Sequence, residues 1–233
     1  MATFYGIGVG PGDSELMTVK AVNTLKQIDI LYTPKAHNDQ PSVAEKIAAP
    51  YFSEGLTIKH RWFPMVKDLK EKQASWRTIA EEIVADVKAG NNVGFITLGD
   101  ASVYSTYSYL LGIIDNQITV ETVAGISAYT QIAATISTPL MLDDELLEVI
   151  PATADAQKIA TAIDDNDNVV MMKISANLPL VYQLLADRNL LDQAIIISNA
   201  SMATQHTVKL SAVEPTEKLP YFSTLLLKKT YSF

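Results

Sequence analysis

The chain has 233 residues, 18 basic and 26 acidic side chains for a formal charge of −8, 48% hydrophobic residues and no cysteine. At about 150 residues per domain this is one to two domains, each long enough to bury a core. The composition excludes disulfide frameworks, zinc–thiolate and iron–sulfur centres and a thiolate nucleophile, and the acidic balance disfavours nucleic acid and anionic membrane surfaces.

Apolar β-formers alternate with helical patterns, the signature of α/β architecture. Thr3 to Val9 is predicted as a strand, followed by a Gly/Pro turn and a helix over Thr18 to Gln27. Ile28 to Tyr32 makes a second strand, Pro41-Ser42 opens a short helix that Pro50 ends, and Leu56 to Trp62 is a third strand bounded by Pro64. From Asp68 to Ala89, Leu69, Trp76, Ile79, Ile83 and Val87 share one helical face, with Gly90-Asn91 as the C-cap. Val93 to Leu98 is a buried strand handing over to a helix, and Ile118 to Val123 another before a helix over Ala128 to Ile136. Thr138-Pro139 and the acidic Asp143-Asp144-Glu145 mark 138–146 as a linker between an N-terminal domain (1–137) with a mostly parallel sheet and a C-terminal domain (147–233). In the latter, strands are expected at Leu147 to Ile150, Val169 to Lys173, Ala194 to Ser198, Thr204 to Leu210 and Tyr221 to Leu227, in a mixed, more antiparallel sheet, with helices at Asp155 to Ile163 and Leu178 to Asp187.

The chemistry-bearing motifs sit at strand ends, where open α/β sheets bind ligands. Gly6, Gly8, Gly10 and Gly12 alternate around Pro11. Neither start gives Gly-x-Gly-x-x-Gly, because the sixth position is Pro11 or Asp13, and no Gly-Lys-Ser/Thr follows. These glycines read equally as a tight turn or as a strand tip cleared of side chains for a flat ligand. Thr97 to Tyr107 carries Asp100, an N-cap or a functional carboxylate, among hydroxyls, and Val123 to Ala128 is a third turn of small residues. No Lys or Arg occurs between Lys88 and Lys158, a stretch that favours a cation or neutral group. Lys59, His60, Arg61, Lys67, Lys70, Lys72 and Arg77 instead cluster where a carboxylate-bearing substrate could meet them, though a solvated helix face accounts for Lys70 and Lys72 at least as well. His37, His60 and His206 lack metal-ligand spacing, so no metal site is assigned, and no Gly-x-Ser-x-Gly elbow occurs. With no signal-peptide pattern and no membrane-length apolar run, a soluble cytoplasmic protein with a small-molecule partner is expected.

Gly8-Val9-Gly10-Pro11-Gly12-Asp13 resembles the N-terminal signature of the tetrapyrrole methylases, and Leu98-Gly99-Asp100 their Gly-Asp-Pro turn. Tyr104-Ser105-Thr106-Tyr107, Ser42 to Ala44 and Tyr221-Phe222-Ser223 are most similar to the branch that methylates C20 of precorrin-2. The resemblance implies S-adenosyl-L-methionine as cofactor in a cleft between two α/β domains, a tetrapyrrole substrate and a homodimer. It implies cofactor contacts at Pro11, Leu98, Gly99, Asp100, Val103, Ser127, Ala128, Met172 and Ala200, with Asp100 or Tyr104 as catalytic candidates. Ala101, Ala124 and Ala200 depart from the family's usual Pro, Pro and Gly. Other tetrapyrrole methylase activities, a non-catalytic cofactor-binding protein and a dehydrogenase are the competing readings.

Overall fold

A computed structural model describes residues 1–34, 41–63 and 69–233, and the side chains of all of these except 69–72. His37, Pro64, Lys67 and Asp68 lie outside the described residues, as do the side chains of Leu69, Lys70 and Lys72. Contacts divide the chain into two compact units, Met1–Ser127 and Ala128–Phe233.

The first unit is built on an all-parallel sheet of β1 (Phe4–Gly8), β2 (Ile30–Pro34), β3 (Thr57–Arg61), β4 (Val93–Thr97) and β5 (Val120–Val123), in the order β3-β2-β4-β1-β5. Period-2 alternation sorts the strand side chains between two cores. Phe4, Tyr32, Val93 and Phe95 meet α3 (Leu69–Lys88) and α4 (Tyr107–Ile114) on one face. Ile7, Leu31, Ile96 and Val123 meet α1 (Val19–Leu25) and α2 (Val43–Ala48) on the other. The stripe expected on α3 is real: Trp76, Ile79, Ile83 and Val87 are buried, each removed from water at a gain of roughly 1.5–3 kcal/mol.

Strand order places the ligand-binding edge. From β1 the chain passes through α1 to β2, beyond β4; from β4 it passes through α4 to β5, beyond β1. Right-handed crossovers running in opposite directions must lie on opposite faces, so the connections part between β1 and β4 and open a crevice at their carboxyl ends. Register levels those ends, with Gly8 beside Thr97 and Ile7 beside Val123.

The second unit carries a mixed sheet of β6 (Leu147–Pro151), β7 (Asn168–Met172), β8 (Ala194–Ser198), β9 (His206–Lys209) and β10 (Ser223–Lys228), ordered β6-β7-β10-β8-β9. Only the β6–β7 pair is parallel. One face packs on α6 (Ala156–Asp165) and α7 (Leu178–Ala186), the other on α5 (Ala128–Thr135).

The division at Ser127–Ala128 replaces the expected linker over 138–146 and moves α5 out of the first unit. Ile132 of α5 is buried with Val170, Ile195, Ile197 and Leu226, a set supplied wholly by the second sheet. The acidic stretch is likewise tied down: Glu145 Oε2 lies 2.6 Å from Lys228 Nζ, a side chain 4% exposed, and also accepts from Asn168 Nδ2 at 3.1 Å. A segment rich in acid reads as solvated until a distant strand supplies the buried cation.

Candidate functional site

The loops that follow β1, β4 and β5 are joined at the carboxyl edge of the first sheet. Gly10 and Gly99 form an antiparallel bridge, Gly10 N–H donating to Gly99 O at 3.1 Å and Gly99 N–H to Gly10 O at 2.8 Å. A Cβ on Gly8 would lie 2.7 Å from Gly125 N and 2.8 Å from Gly99 O. Here glycine lets three backbones touch. Of the two readings of the first glycine cluster, the structure gives the tight turn at Gly8, where protein backbone takes the space that a side chain would fill, and Gly125 is filled in the same way.

Polar side chains complete the joint. Asp13 accepts from Glu15 N–H at 2.9 Å and closes the turn after β1. Thr18 caps α1 by accepting from Ala21 N–H at 3.1 Å and donates to Ala124 O at 3.3 Å. Asp100 Oδ1 accepts from the Ser102 N–H at 2.8 Å and from the Ser102 hydroxyl, and Oδ2 accepts from Gly125 N–H at 2.8 Å. Partial burial works to raise the Asp100 pKa, but these three donors outweigh it and leave the carboxyl below its ordinary value. Asp100 is thus an anion with both oxygens engaged, which is poor equipment for a proton acceptor. Ser105 Oγ donates to Thr97 Oγ1 at 3.0 Å and accepts from Tyr107 N–H at 3.1 Å, fixing the start of α4. Between them Tyr104 takes a left-handed backbone (φ 47°) and stands 48% exposed, a strained conformation of the kind that gathers at functional sites.

Of the positions singled out in the sequence, Pro11, Leu98, Gly99, Asp100, Val103 and Tyr104 fall in the first two of these loops, and Ser127 in the third. Pro11 and Gly99 are buried, and Leu98 packs on the α1–α2 core. Ala128 begins α5 in the second unit. Met172 ends β7, Ala200 follows β8, and both pack in the cluster around Ile132. Thr18 was missed as a site residue; a Thr three residues before Ala21, opening an apolar-periodic helix, signals the cap but not the second bond.

Three members of the basic cluster, Lys59, His60 and Arg61, are paired within the protein. Lys59 Nζ lies 2.6 Å from Asp86 Oδ2, Arg61 Nε donates to Glu82 Oε2 at 2.7 Å, and His60 Nε2 is 3.0 Å from Glu45 Oε2. Lys59 and Arg61 also flank the Tyr32 ring, whose hydroxyl pKa is pushed up by burial and by a 2.6 Å bond to Asp86. These residues fasten edge strand β3 to β2, α2 and α3. Arg77 is exposed on α3. Among the described residues no group of three or more His, Cys, Asp or Glu is placed to hold a metal, and no helix is long and apolar enough to cross a membrane.

Comparison with known proteins adds lineage to this geometry. The family model for Tetrapyrrole (Corrin/Porphyrin) Methylases matches residues 3–215. A cobalt-precorrin-2 C(20)-methyltransferase from Salmonella typhimurium is 36% identical over 230 residues, covering 98% of this chain and 97% of that protein. A precorrin-2 C(20)-methyltransferase from a Sinorhizobium species is 31% identical over 95% of this chain and 93% of its own length. The crystal structure of uroporphyrin-III C-methyl transferase from Thermus thermophilus complexed with S-adenyl homocysteine superposes with a TM-score of 0.70 at 16% identity, covering 98% of this chain and 92% of that one.

Proposed function

Because the chain belongs to the tetrapyrrole methylase family, we propose that it transfers the methyl group of S-adenosyl-L-methionine to C20 of precorrin-2 or its cobalt-containing form, in cobalamin biosynthesis. The observation that carries this reading is the 36% identity, along nearly the whole of both chains, to the Salmonella C20 enzyme.

The residues at the loop edge fit a sulfonium cofactor. It is a cation, and this edge offers an ionised Asp100 within a stretch that holds no Lys or Arg between Lys88 and Lys158. Pro11, Leu98, Gly99, Val103, Ser127 and Ala128 would hold it, with Met172 and Ala200 the proposed positions in the second unit. Bound, the cofactor supplies an already activated methyl, so the chain needs no Ser or Cys nucleophile. What its residues must do is orient, an effect that reaches roughly 7–11 kcal/mol in favourable geometry. Transfer forms a carbon–carbon bond at C20, breaks the sulfur–methyl bond and releases the C20 proton. Tyr104, exposed on its strained turn, is the proposed contact with the reacting ring, and Asp100 serves to hold the loops.

Incubation with methyl-labelled S-adenosylmethionine and precorrin-2, and in parallel its cobalt form, is expected to place label on C20 of one of them. Label on another ring carbon would reassign the position within the family, and tight cofactor binding without transfer to any tetrapyrrole would leave a binding protein. A cytoplasmic homodimer belongs to the same proposal, and light scattering of the purified protein should return twice the 25.4 kDa chain mass.

A further inference from the structure

The peptide between Ala124 and Gly125 is gripped at both ends by side chains from the other two loops. Its carbonyl oxygen accepts from Thr18 Oγ1 at 3.3 Å, and its N–H donates to Asp100 Oδ2 at 2.8 Å. In a planar trans peptide these groups point in opposite directions, so two grips fix the rotation of the plane where either alone would leave a pivot. Both side chains are themselves anchored, Thr18 as the cap of α1 and Asp100 by Ser102. Gly125 cannot be replaced without moving backbone, since an added Cβ would sit 2.2 Å from Gly99 O.

We propose that Thr18 and Asp100 are positioning residues that lock the Ala124–Gly125 peptide and so pre-organise the loop leading to Ser127 for the nucleoside cofactor. The inference rests on the cofactor reading above. A loop ordered before binding spares the complex the entropy of ordering it, so the lock acts on cofactor affinity. Asp100 spends one carboxylate oxygen on the lock and the other on its Ser102 anchor, and carries no proton in the reaction.

Three variants separate the parts. Asp100→Asn turns an amide donor toward an N–H; Thr18→Asp keeps an acceptor for the α1 cap but has no proton for Ala124 O; Thr18→Ser keeps both bonds. Hydrogen exchange of the Gly125 amide in the ligand-free protein is expected to quicken about tenfold or more in Asp100→Asn and Thr18→Asp, with β1 and β4 amides unchanged. The dissociation constant for S-adenosylhomocysteine should rise about tenfold in each, and by less than the product of the two in the double variant, because both act on one peptide. Thr18→Ser should restore both readouts. Unchanged exchange at Gly125 overturns the lock, and unchanged affinity with a fallen kcat overturns the positioning role and returns Asp100 to proton transfer. If the wild-type protein binds no S-adenosylhomocysteine, the cofactor reading fails, and exchange at Gly125 still decides the lock.

Discussion

At Gly125 the missing side chain is worth more than any it could carry. Its hypothetical Cβ meets Gly99 O at 2.2 Å and the Gly8 carbonyl carbon at 2.7 Å, atoms of backbone that cannot swing away. Gly125→Ala is expected to lower stability by about 1–3 kcal/mol in urea denaturation and to weaken S-adenosylhomocysteine binding. Gly112, inside α4, has nothing within 4 Å of its would-be Cβ, so Gly112→Ala should instead stabilise by roughly 0.5–1 kcal/mol. Glu145 ties stability to pH through its charge. The Lys228 ammonium and the Asn168 amide hold its carboxyl down at about 2 against an ordinary 4.5. With the folded pKa below the unfolded one, its contribution is complete above pH 4.5 and is lost as pH falls toward about 2. Over that window the stability of Glu145→Gln, read from urea midpoints, should fall less steeply than that of the wild type.

Among the elements, β3 is an edge strand fastened by charge. Its cations pair with Asp86 and Glu82 of α3 across the Tyr32 ring, at side-chain exposures near one third for Arg61 and Glu82. Arg61→Ala is expected to cost about 0.2–1 kcal/mol, screened by salt, and to leave the KM for the tetrapyrrole unchanged. A large rise in KM would show that Arg61 faces the substrate after all. The strand and its basic character were legible because a run from Leu56 to Trp62 led up to Pro64. The pairing was not, since Asp86 and Glu82 lie more than twenty positions further along and reach β3 only once α3 packs on the sheet. The same holds for α5, which was legible as a helix while the sheet it covers was not.

Across the whole molecule, ligand linkage offers the broadest check. A ligand that binds only the folded protein adds about 2.7 kcal/mol at one hundred times its dissociation constant. S-adenosylhomocysteine at that excess is expected to raise the thermal midpoint, and NAD at any attainable concentration to leave it unmoved. The reverse result would favour the dehydrogenase, whose Gly-x-Gly-x-x-Gly the chain lacks. The topology is consistent with the methylase reading, because the reversal between β1 and β4 puts both signature turns, Gly8 to Asp13 and Leu98 to Asp100, on one edge of one sheet.

Strands, helices and the turn positions between them were written locally, in alternation, helical spacing and Gly or Pro punctuation, so short windows of chain sufficed to find them. The family signature was local too, confined to runs such as Gly8 to Asp13. Folding alone decided what those turns do to each other. The bond from Gly125 to Asp100 spans 25 positions and that from Thr18 to Ala124 spans 106, and the unit boundary follows from where Ile132 finds its core. Hydrogen bonds and apolar contacts of that range depend on which strands become neighbours, a property of the sheet order that no single window of sequence contains.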